Sequence, residues 1–115
     1  MNITIKLDES LLKDLLITAF EGGSNYWIDE VAKSQEATLC DSYDLFMEGK
    51  LTYLITPEEL DSEPIELTLE KFKKGFEMMS EKHPNMFDRI IEEQYDAGDA
   101  DVVLQYSLFN KTVFA

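Results

Sequence analysis

Two different spacings of apolar residues follow one another at the start of the chain. Residues 3–7, ITIKL, alternate apolar and polar positions, which is typical of a strand. Asp8 then stands where a helix N-cap is expected, and residues 9–20 show the three- and four-residue spacing of a helix with one buried face. The apolar positions of this helix are Leu11, Leu12, Leu15 and Ala19. We therefore expect a strand and then a core helix.

The predicted helix runs into the segment FEGGSNYW, in which two glycines precede two large aromatic residues. Gly22 stands where a left-handed helix C-cap is wanted, and glycine takes that conformation without a Cβ penalty. The following NYWIDEV has the aromatic and β-branched content of a strand, with Tyr26 and Trp27 on opposite faces. The segment thus predicts a helix end, a turn and a strand. The competing interpretation is that it forms the floor of a ligand site.

The middle of the chain is predicted to contain a hairpin and one more strand. Residues 32–41 are polar and weakly patterned, so we expect a loop there. The segment SYDLFMEGKLTYLI has two β-like runs on either side of Gly49, which suits a tight hairpin with a positive φ at that glycine. A loop or short helical turn punctuated by Pro57 and Pro64 follows, and IELTL is expected to add a strand.

The second half of the chain changes to helical spacing. Thr68 is a suitable N-cap for a helix whose apolar residues recur every three or four positions. Pro84 ends that helix and also suits the first turn of the next one. Asp99 is the expected N-cap of a last helix that is apolar on most sides. Such a helix is buried by its own chain or covered by a partner, so self-association is compatible with it.

The order of these elements predicts the fold class. A strand, a helix, further strands and then three helices indicate an α+β domain with helices on one face of a small antiparallel sheet and a mainly helical C-terminal half. A length of 115 residues suits one domain, residues 1–115.

The excess of acidic residues is the most informative feature of the composition. The chain has 24 Asp and Glu against 10 Lys and Arg, a formal net charge of -14. Such a charge repels nucleic-acid phosphates and anionic lipid headgroups, so we expect a basic protein partner and neither direct nucleic-acid nor membrane binding. Two explanations of the charge stay open. Excess carboxylate keeps the protein soluble, or it imitates the phosphates of a nucleic acid.

Two groups of carboxylates are candidates for a partner-binding surface. The first contains no basic residue and consists of Glu58, Glu59, Asp61, Glu63 and Glu66. The second consists of Glu92, Glu93 and Asp96. If either group is ordered into one patch, complementary charge would speed encounter with a basic protein and make the binding sensitive to salt.

Residues capable of catalysis or metal binding are few. Cys40 and His83 are the single cysteine and histidine, which excludes an internal disulfide and a Cys/His zinc cluster. Cys40 lies in the predicted loop without a basic neighbour, so we expect a structural cysteine, and a surface histidine at position 83. The carboxylates of residues 92–101 lack EF-hand spacing, and there is no glycine-rich phosphate-binding loop. We expect no enzymatic activity, cofactor or metal, and a cytoplasmic protein without a membrane span.

Two segments carry a resemblance to a known family. They are Ala19, Phe20, Glu21, Gly22 and Gly23 with Tyr26 and Trp27, and Asp96, Ala97, Ala100 and Asp101 with Leu104, Gln105, Leu108 and Phe109. They resemble a family of small proteins of no assigned activity encoded by tailed bacteriophages and prophages. The resemblance covers both ends of the chain and leaves the middle unmatched, and it departs from the family at Asp99 and Asn110. It implies a phage-encoded cytoplasmic protein and transfers no catalytic residue.

The same two segments give a structural hypothesis. Glu21 at a helix end and Gln105 within an apolar helix both need hydrogen-bond partners if they are buried. Backbone groups at the turn of Gly22 and Gly23 could provide them. We therefore expect the two segments to pack together.

Two functions follow from these observations. The leading hypothesis is a non-enzymatic phage accessory protein that binds a host defence or DNA-processing protein through an acidic surface, as a mimic of nucleic acid. The alternative is a small-molecule-binding or sequestering protein with an apolar pocket beside the glycine turn. The pocket residues would be Gly22, Gly23, Tyr26, Trp27 and Gln105.

Overall fold

The computed structural model describes residues 9–59 and 62–114. The described helices are α1 (Glu9–Thr18), α2 (Leu39–Met47), α3 (Leu69–Lys82), α4 (Pro84–Ile91) and α5 (Ala97–Phe109), with a π-helical turn (Ala19–Gly23) directly after α1. The strands are β1 (Ile28–Lys33), β2 (Tyr53–Pro57) and β3 (Ile65–Leu67). The predicted strand of residues 3–7 and its following cap, Asp8, lie outside the described residues.

The three described strands form one antiparallel sheet in the order β1-β2-β3. Side chains of β2 alternate between buried Tyr53 and Ile55 on one face and Leu54 and Thr56 on the other. The Tyr53 ring packs against Phe20 of the π-helical turn at a centroid distance of 4.9 Å. Helical elements thus cover one face of the sheet, which confirms the predicted α+β fold with a mainly helical C-terminal half.

Helix α5 is the central element of the helical layer. It packs against α3, α1, the π-helical turn and β3, and most of its residues are buried. A Cβ at Gly75 of α3 would lie 2.6 Å from the Cα of Ser107, so the two helices cross where only glycine leaves room. The apolar character of α5 therefore has its explanation within one chain.

The predicted hairpin is wrong in its first half. Residues 43–47 belong to α2, which begins after Thr38, whose side chain accepts a hydrogen bond from the backbone N–H of Asp41 at 3.1 Å. Tyr43 and Phe46, three positions apart, are both buried, as one helical face requires. The run also fits the period of a strand, so its length leaves the pattern ambiguous. The connection between β1 and α2 is therefore residues 34–38, which is shorter than the predicted loop of residues 32–41.

Gly49 has the predicted positive φ, 74°, but it ends a helix and does not turn a hairpin. Its N–H bonds to the carbonyl of Phe46 at 2.9 Å, and the next N–H, of Lys50, bonds to that of Leu45 at 2.8 Å. These bonds satisfy carbonyls at the end of α2, as in a glycine C-cap. The second run of the predicted hairpin, β2, and the predicted strand β3 are confirmed.

The prediction for Gly22 is wrong, because Gly49 is the one described glycine with positive φ. The chain instead continues into the π-helical turn, where the N–H of Ser24 bonds to the carbonyl of Ala19 at 2.9 Å. Gly23 is the glycine that the fold requires, since an added Cβ would overlap the carbonyl oxygen of Ala97. Close approach of two backbones, and not a left-handed conformation, explains one of the two glycines.

The caps of the last three helices follow the prediction with one correction. Thr68 caps α3, its hydroxyl accepting from the N–H of Lys71 at 3.2 Å, and Pro84 lies in the first turn of α4. The N-cap of α5 is Asp96, not Asp99. Asp99 is the other half of a capping box, in which each carboxylate accepts from the backbone N–H of the other residue.

Candidate functional site

A buried carboxylate joins the two segments that the sequence singles out. Asp101 of α5 is only 5% exposed. Its Oδ1 accepts hydrogen bonds from the Ser24 hydroxyl and the Trp27 indole N–H, both at 2.7 Å. Its Oδ2 accepts from the Tyr26 hydroxyl at 2.6 Å and from the Gln105 amide at 3.0 Å. Four neutral donors thus take the place of water around one carboxylate.

The π-helical turn explains why these donors converge. It packs against α5, and the absence of a side chain at Gly23 lets the turn lie directly on Ala97. Ser24, Tyr26 and Trp27 follow within four residues of that contact. Tyr26 and Trp27 precede β1, and both reach Asp101, so the prediction that they point to opposite faces of a strand is wrong.

Gln105 connects this cluster to the C-terminal segment. Its carbonyl oxygen accepts from the backbone N–H groups of Val113 and Phe114 at 2.7 and 2.9 Å, and its amide donates to the Phe114 carbonyl at 3.2 Å. The amide also donates to the Tyr26 hydroxyl at 3.3 Å. Gln105 is 1% exposed, and its side chain forms its hydrogen bonds with protein groups in place of water.

Aromatic rings close the cluster on its other side. The ring of Phe114 is stacked on Trp27, with a centroid distance of 5.0 Å and an interplanar angle of 5°. Phe109 makes a tilted contact with Trp27 at 5.7 Å and an edge contact with Phe114 at 5.9 Å. Trp27 is 2% exposed. The C-terminal segment thus covers the indole and anchors the end of the chain.

Tyr26 is the exposed member of the cluster. About half of its surface is accessible, yet burial of the hydroxyl raises the pKa of Tyr26 to about 12, and the hydrogen bond with Asp101 adds to the shift. The phenol is therefore a neutral donor at neutral pH. The cluster is built to hold structure.

The predicted packing of the two segments is confirmed by the bonds from Ser24, Tyr26 and Trp27 to α5. The partners differ from the prediction. Gln105 bonds to side chains and to the C-terminal backbone, whereas exposed Glu21 accepts from the Tyr43 hydroxyl at 3.2 Å. The alternative hypothesis needs polar atoms that face a ligand. The polar atoms of Trp27 and Gln105 instead bond to protein groups, which weakens this hypothesis.

The sequence did not predict that Asp101 is the acceptor of four hydrogen bonds. The available signal is its position four residues before Gln105 on an otherwise apolar helix, which puts both polar side chains on one face. Two polar residues on a buried face require partners from another element.

The first acidic group lies at one end of the sheet, in the connection from β2 to β3 and on β3 itself. Glu58, Glu59, Glu63 and Glu66 are all exposed, and Asp61 lies outside the described residues. The N–H of Glu58 bonds to the Trp27 carbonyl at 2.8 Å, which fixes the start of the connection. Among the described residues, the four carboxylates form no hydrogen bond or ion pair. They are therefore available to an outside partner.

The second acidic group lies in the turn between α4 and α5 and is partly committed to the fold. Glu92, Glu93 and Asp96 are exposed, but Asp96 caps α5. Beside it, Arg89 makes a bidentate ion pair with Asp99 at 2.7 and 3.1 Å. This positive charge makes the second group a weaker candidate surface than the first.

Two shallow grooves are lined by no residue of either acidic group. One, of about 400 Å³, lies between α1 and α2 and is crossed by the 2.6 Å ion pair of Lys13 and Asp44. The other, of about 280 Å³, lies at the start of α3 beside Leu51 and Leu69. Neither groove is lined by any of the five residues predicted for a ligand pocket.

Cys40 and His83 occupy separate places in the fold. Cys40 is exposed in the first turn of α2, so the prediction that it lies in a loop is wrong. His83 is half-buried between α3 and α4, with Nε2 3.1 Å from the Tyr106 hydroxyl. Within residues 9–59 and 62–114, no three His, Cys, Asp or Glu side chains are grouped to hold a metal ion. No described helix is long and apolar enough to cross a membrane.

Comparison with known proteins identifies no similar protein. No protein-family model matches the chain. The comparisons with curated proteins and with solved structures give no match either. The resemblance to small phage proteins stays a prediction, and function has to be argued from the surface and the charges of the chain itself.

Proposed function

We propose that this protein is a non-enzymatic, phage-encoded accessory protein that binds a basic host protein in the cytoplasm. The partner is a defence or DNA-processing protein, and the carboxylates take the place of nucleic-acid phosphates in its basic groove. The observation that carries the proposal is the first acidic group. Its four described carboxylates lie between β2 and β3 and on β3, are exposed and form no ion pair with any described residue.

The contrast between this group and the other carboxylates supports the proposal. Asp101 and Asp99 are buried and fully bonded, and Asp96 caps a helix. These acids contribute to folding. Glu58, Glu59, Glu63 and Glu66 have no such role, and their exposed charges would attract a basic partner.

A capture experiment with three baits tests the proposal against simple solubilisation by charge. The first bait is the full chain, and the second has Glu58, Glu59, Glu63 and Glu66 changed to Gln. The third carries the same change in charge elsewhere, through Asp14→Asn, Glu77→Gln, Glu81→Gln and Asp88→Asn, all at exposed positions of helices. Each bait is immobilised, exposed to nuclease-treated bacterial lysate at low salt and eluted by raising the salt concentration.

The proposal predicts that the same basic protein elutes from the first and third baits and is absent from the second. Equal recovery from the second and third baits, which have the same net charge, would mean that net charge alone attracts proteins. In that case the acidity would serve solubility, and the proposed function would be wrong.

A further inference from the structure

One face of the sheet carries exposed side chains. Alternation along β2 puts Leu54 and Thr56 on this face, and the strand register puts Ala32 and Glu66 directly beside Leu54, with Glu30 beside Thr56. Leu54 is 40% exposed, and Glu30 and Glu66 are exposed as well. We call these five residues the open sheet face.

The open sheet face combines one exposed apolar side chain with two exposed carboxylates. The outer face of a half-buried antiparallel sheet normally carries polar side chains, but here one of the two outward positions of the central strand is leucine. Its cross-strand neighbours are alanine on one side and glutamate on the other. An apolar centre with a charged rim is the arrangement of a protein interface.

The negative charges at the edge of the open sheet face favour a positively charged partner. No lysine or arginine occupies the five positions of the open sheet face. One ammonium lies at its margin, where Lys71 Nζ donates to the backbone carbonyl of Glu66 at 2.8 Å. Glu58 and Glu59 directly follow β2 and extend the negative charge. A second copy of this chain would bring its own Glu30 and Glu66 against these carboxylates, so self-association through this face is disfavoured.

Resting on the proposed function, we infer that the open sheet face is the docking surface for a basic amphipathic helix of the partner. Glu30 and Glu66 lie on the two outer strands, roughly 12 Å apart by strand spacing and rise. Lysine or arginine side chains two helical turns apart are separated by about 11 Å, which matches this distance. An apolar side chain between them would rest on Leu54. A helix over an open sheet face also completes the layered arrangement that sheets adopt.

A titration followed by backbone amide NMR tests the inference on the full chain. The probe is a short synthetic peptide of leucine and lysine whose leucines lie on one helical face. The control peptide has the same composition in scrambled order. The inference predicts that the ordered peptide shifts the amide signals of Ala32, Leu54 and Glu66 most strongly and binds more tightly than the scrambled one.

Variants separate the apolar and the charged contributions. Leu54→Thr removes the apolar side chain and introduces a β-branched residue suited to the strand, and Glu30→Gln with Glu66→Gln keeps the shape while removing two charges. Each variant is expected to weaken binding of the ordered peptide about tenfold, a loss typical of a central interface residue. The matched control, Glu77→Gln with Glu81→Gln on α3, removes two exposed charges elsewhere and is expected to change the affinity less than about twofold.

Three results would overturn the inference in distinguishable ways. If the ordered peptide binds at another acidic surface and neither open-face variant weakens it, the docking surface is wrong and the proposed function stands. If the ordered and scrambled peptides bind equally, the partner is not an amphipathic helix. If neither peptide binds at low salt, the inference fails, and if no basic protein is captured either, the proposed function fails with it.

Discussion

The indole N–H of Trp27 donates a 2.7 Å hydrogen bond to Oδ1 of Asp101, a residue 74 positions away along the chain. Both residues are almost fully buried. The bond links the turn before β1 to the central helix α5 and belongs to a cluster in which every donor faces one carboxylate. The stability of the chain should therefore depend strongly on that carboxylate.

Replacing the carboxylate with an amide tests this dependence. In Asp101→Asn one oxygen becomes an NH2 group, so either the Trp27 indole N–H or the Gln105 amide loses its acceptor and faces another donor, while the neighbouring hydroxyl has to turn and accept. We expect the free energy of unfolding to fall by about 2–4 kcal/mol. Urea unfolding followed by circular dichroism measures the change. The matched control is Asp88→Asn on the exposed face of α4, which should stay within about 0.5 kcal/mol of the wild type. Equal effects in the two variants would contradict the assigned role.

The raised pKa of Tyr26 predicts how stability changes at alkaline pH. The folded protein holds this proton up to a pKa of about 12, whereas the unfolded chain loses it near the usual value of about 10. The stabilisation is thus complete below about pH 10 and is lost as pH rises towards 12. Burial also raises the pKa of Tyr53 to about 12 and that of Tyr43, so the wild-type decline has several sources.

Tyr26→Phe isolates the contribution of one phenol. Urea unfolding at a series of pH values should give a shallower decline of stability above about pH 10 in this variant than in the wild type. Comparison of the two proteins at neutral pH measures the hydrogen bond by itself. Parallel curves at alkaline pH would show that the Tyr26 proton is not held by the fold.

The contact between Phe114 and Trp27 makes the position of the C-terminal segment observable. The chain has one tryptophan, and Phe114 is stacked on it. In Phe114→Ala the indole becomes accessible, so its emission should shift to longer wavelength and acrylamide should quench it more strongly. We expect a stability loss of about 1–3 kcal/mol, below that of a fully buried phenylalanine. Val113→Ala, at an exposed neighbour, should leave the fluorescence unchanged. Unchanged quenching in Phe114→Ala would contradict the stacked contact.

Two glycines give a matched test of backbone packing. Alanine at Gly75 gains helix propensity, but its Cβ would lie 2.6 Å from the Cα of Ser107, so α3 and α5 would have to separate. The clash outweighs a propensity gain of about 1 kcal/mol, and we expect a net loss of roughly 1–3 kcal/mol. At Gly22 nothing lies within 4 Å of an added Cβ. Gly22→Ala should therefore be neutral or slightly stabilising in thermal unfolding, and an equal loss in both variants would be inconsistent with the described crossing.

The elements predicted correctly are those whose periodicity allows one interpretation. Helix α3 repeats its apolar residues over four turns with Thr68 as a cap, and α4 begins at a proline. Residues 43–47 are too few to distinguish a strand from a helix, since Tyr43 and Phe46 fit a helical face as well as an alternating run. The helix forms because Thr38 caps it and because the Tyr53 ring packs against Phe46 at 5.1 Å.

The candidate sites depend on contacts that no local pattern contains. The sequence indicates that Gln105 requires partners, but the choice of Asp101 as their centre depends on the packing of the π-helical turn against α5. In the same way, the open sheet face exists because the strand register brings Glu66 beside Leu54. Net charge, by contrast, is evident from composition and predicts the class of partner without the surface that binds it.

The most direct measurement of the central claim is the affinity of the full chain for its captured basic partner at two ionic strengths. Because exposed charges are screened beyond about 8 Å in physiological salt, Kd should rise steeply from low to physiological salt. Changing Glu58, Glu59, Glu63 and Glu66 to Gln should weaken binding at low salt and flatten this dependence. A Kd that is the same at both ionic strengths, or a dependence that the four substitutions leave unchanged, would contradict binding through the acidic surface.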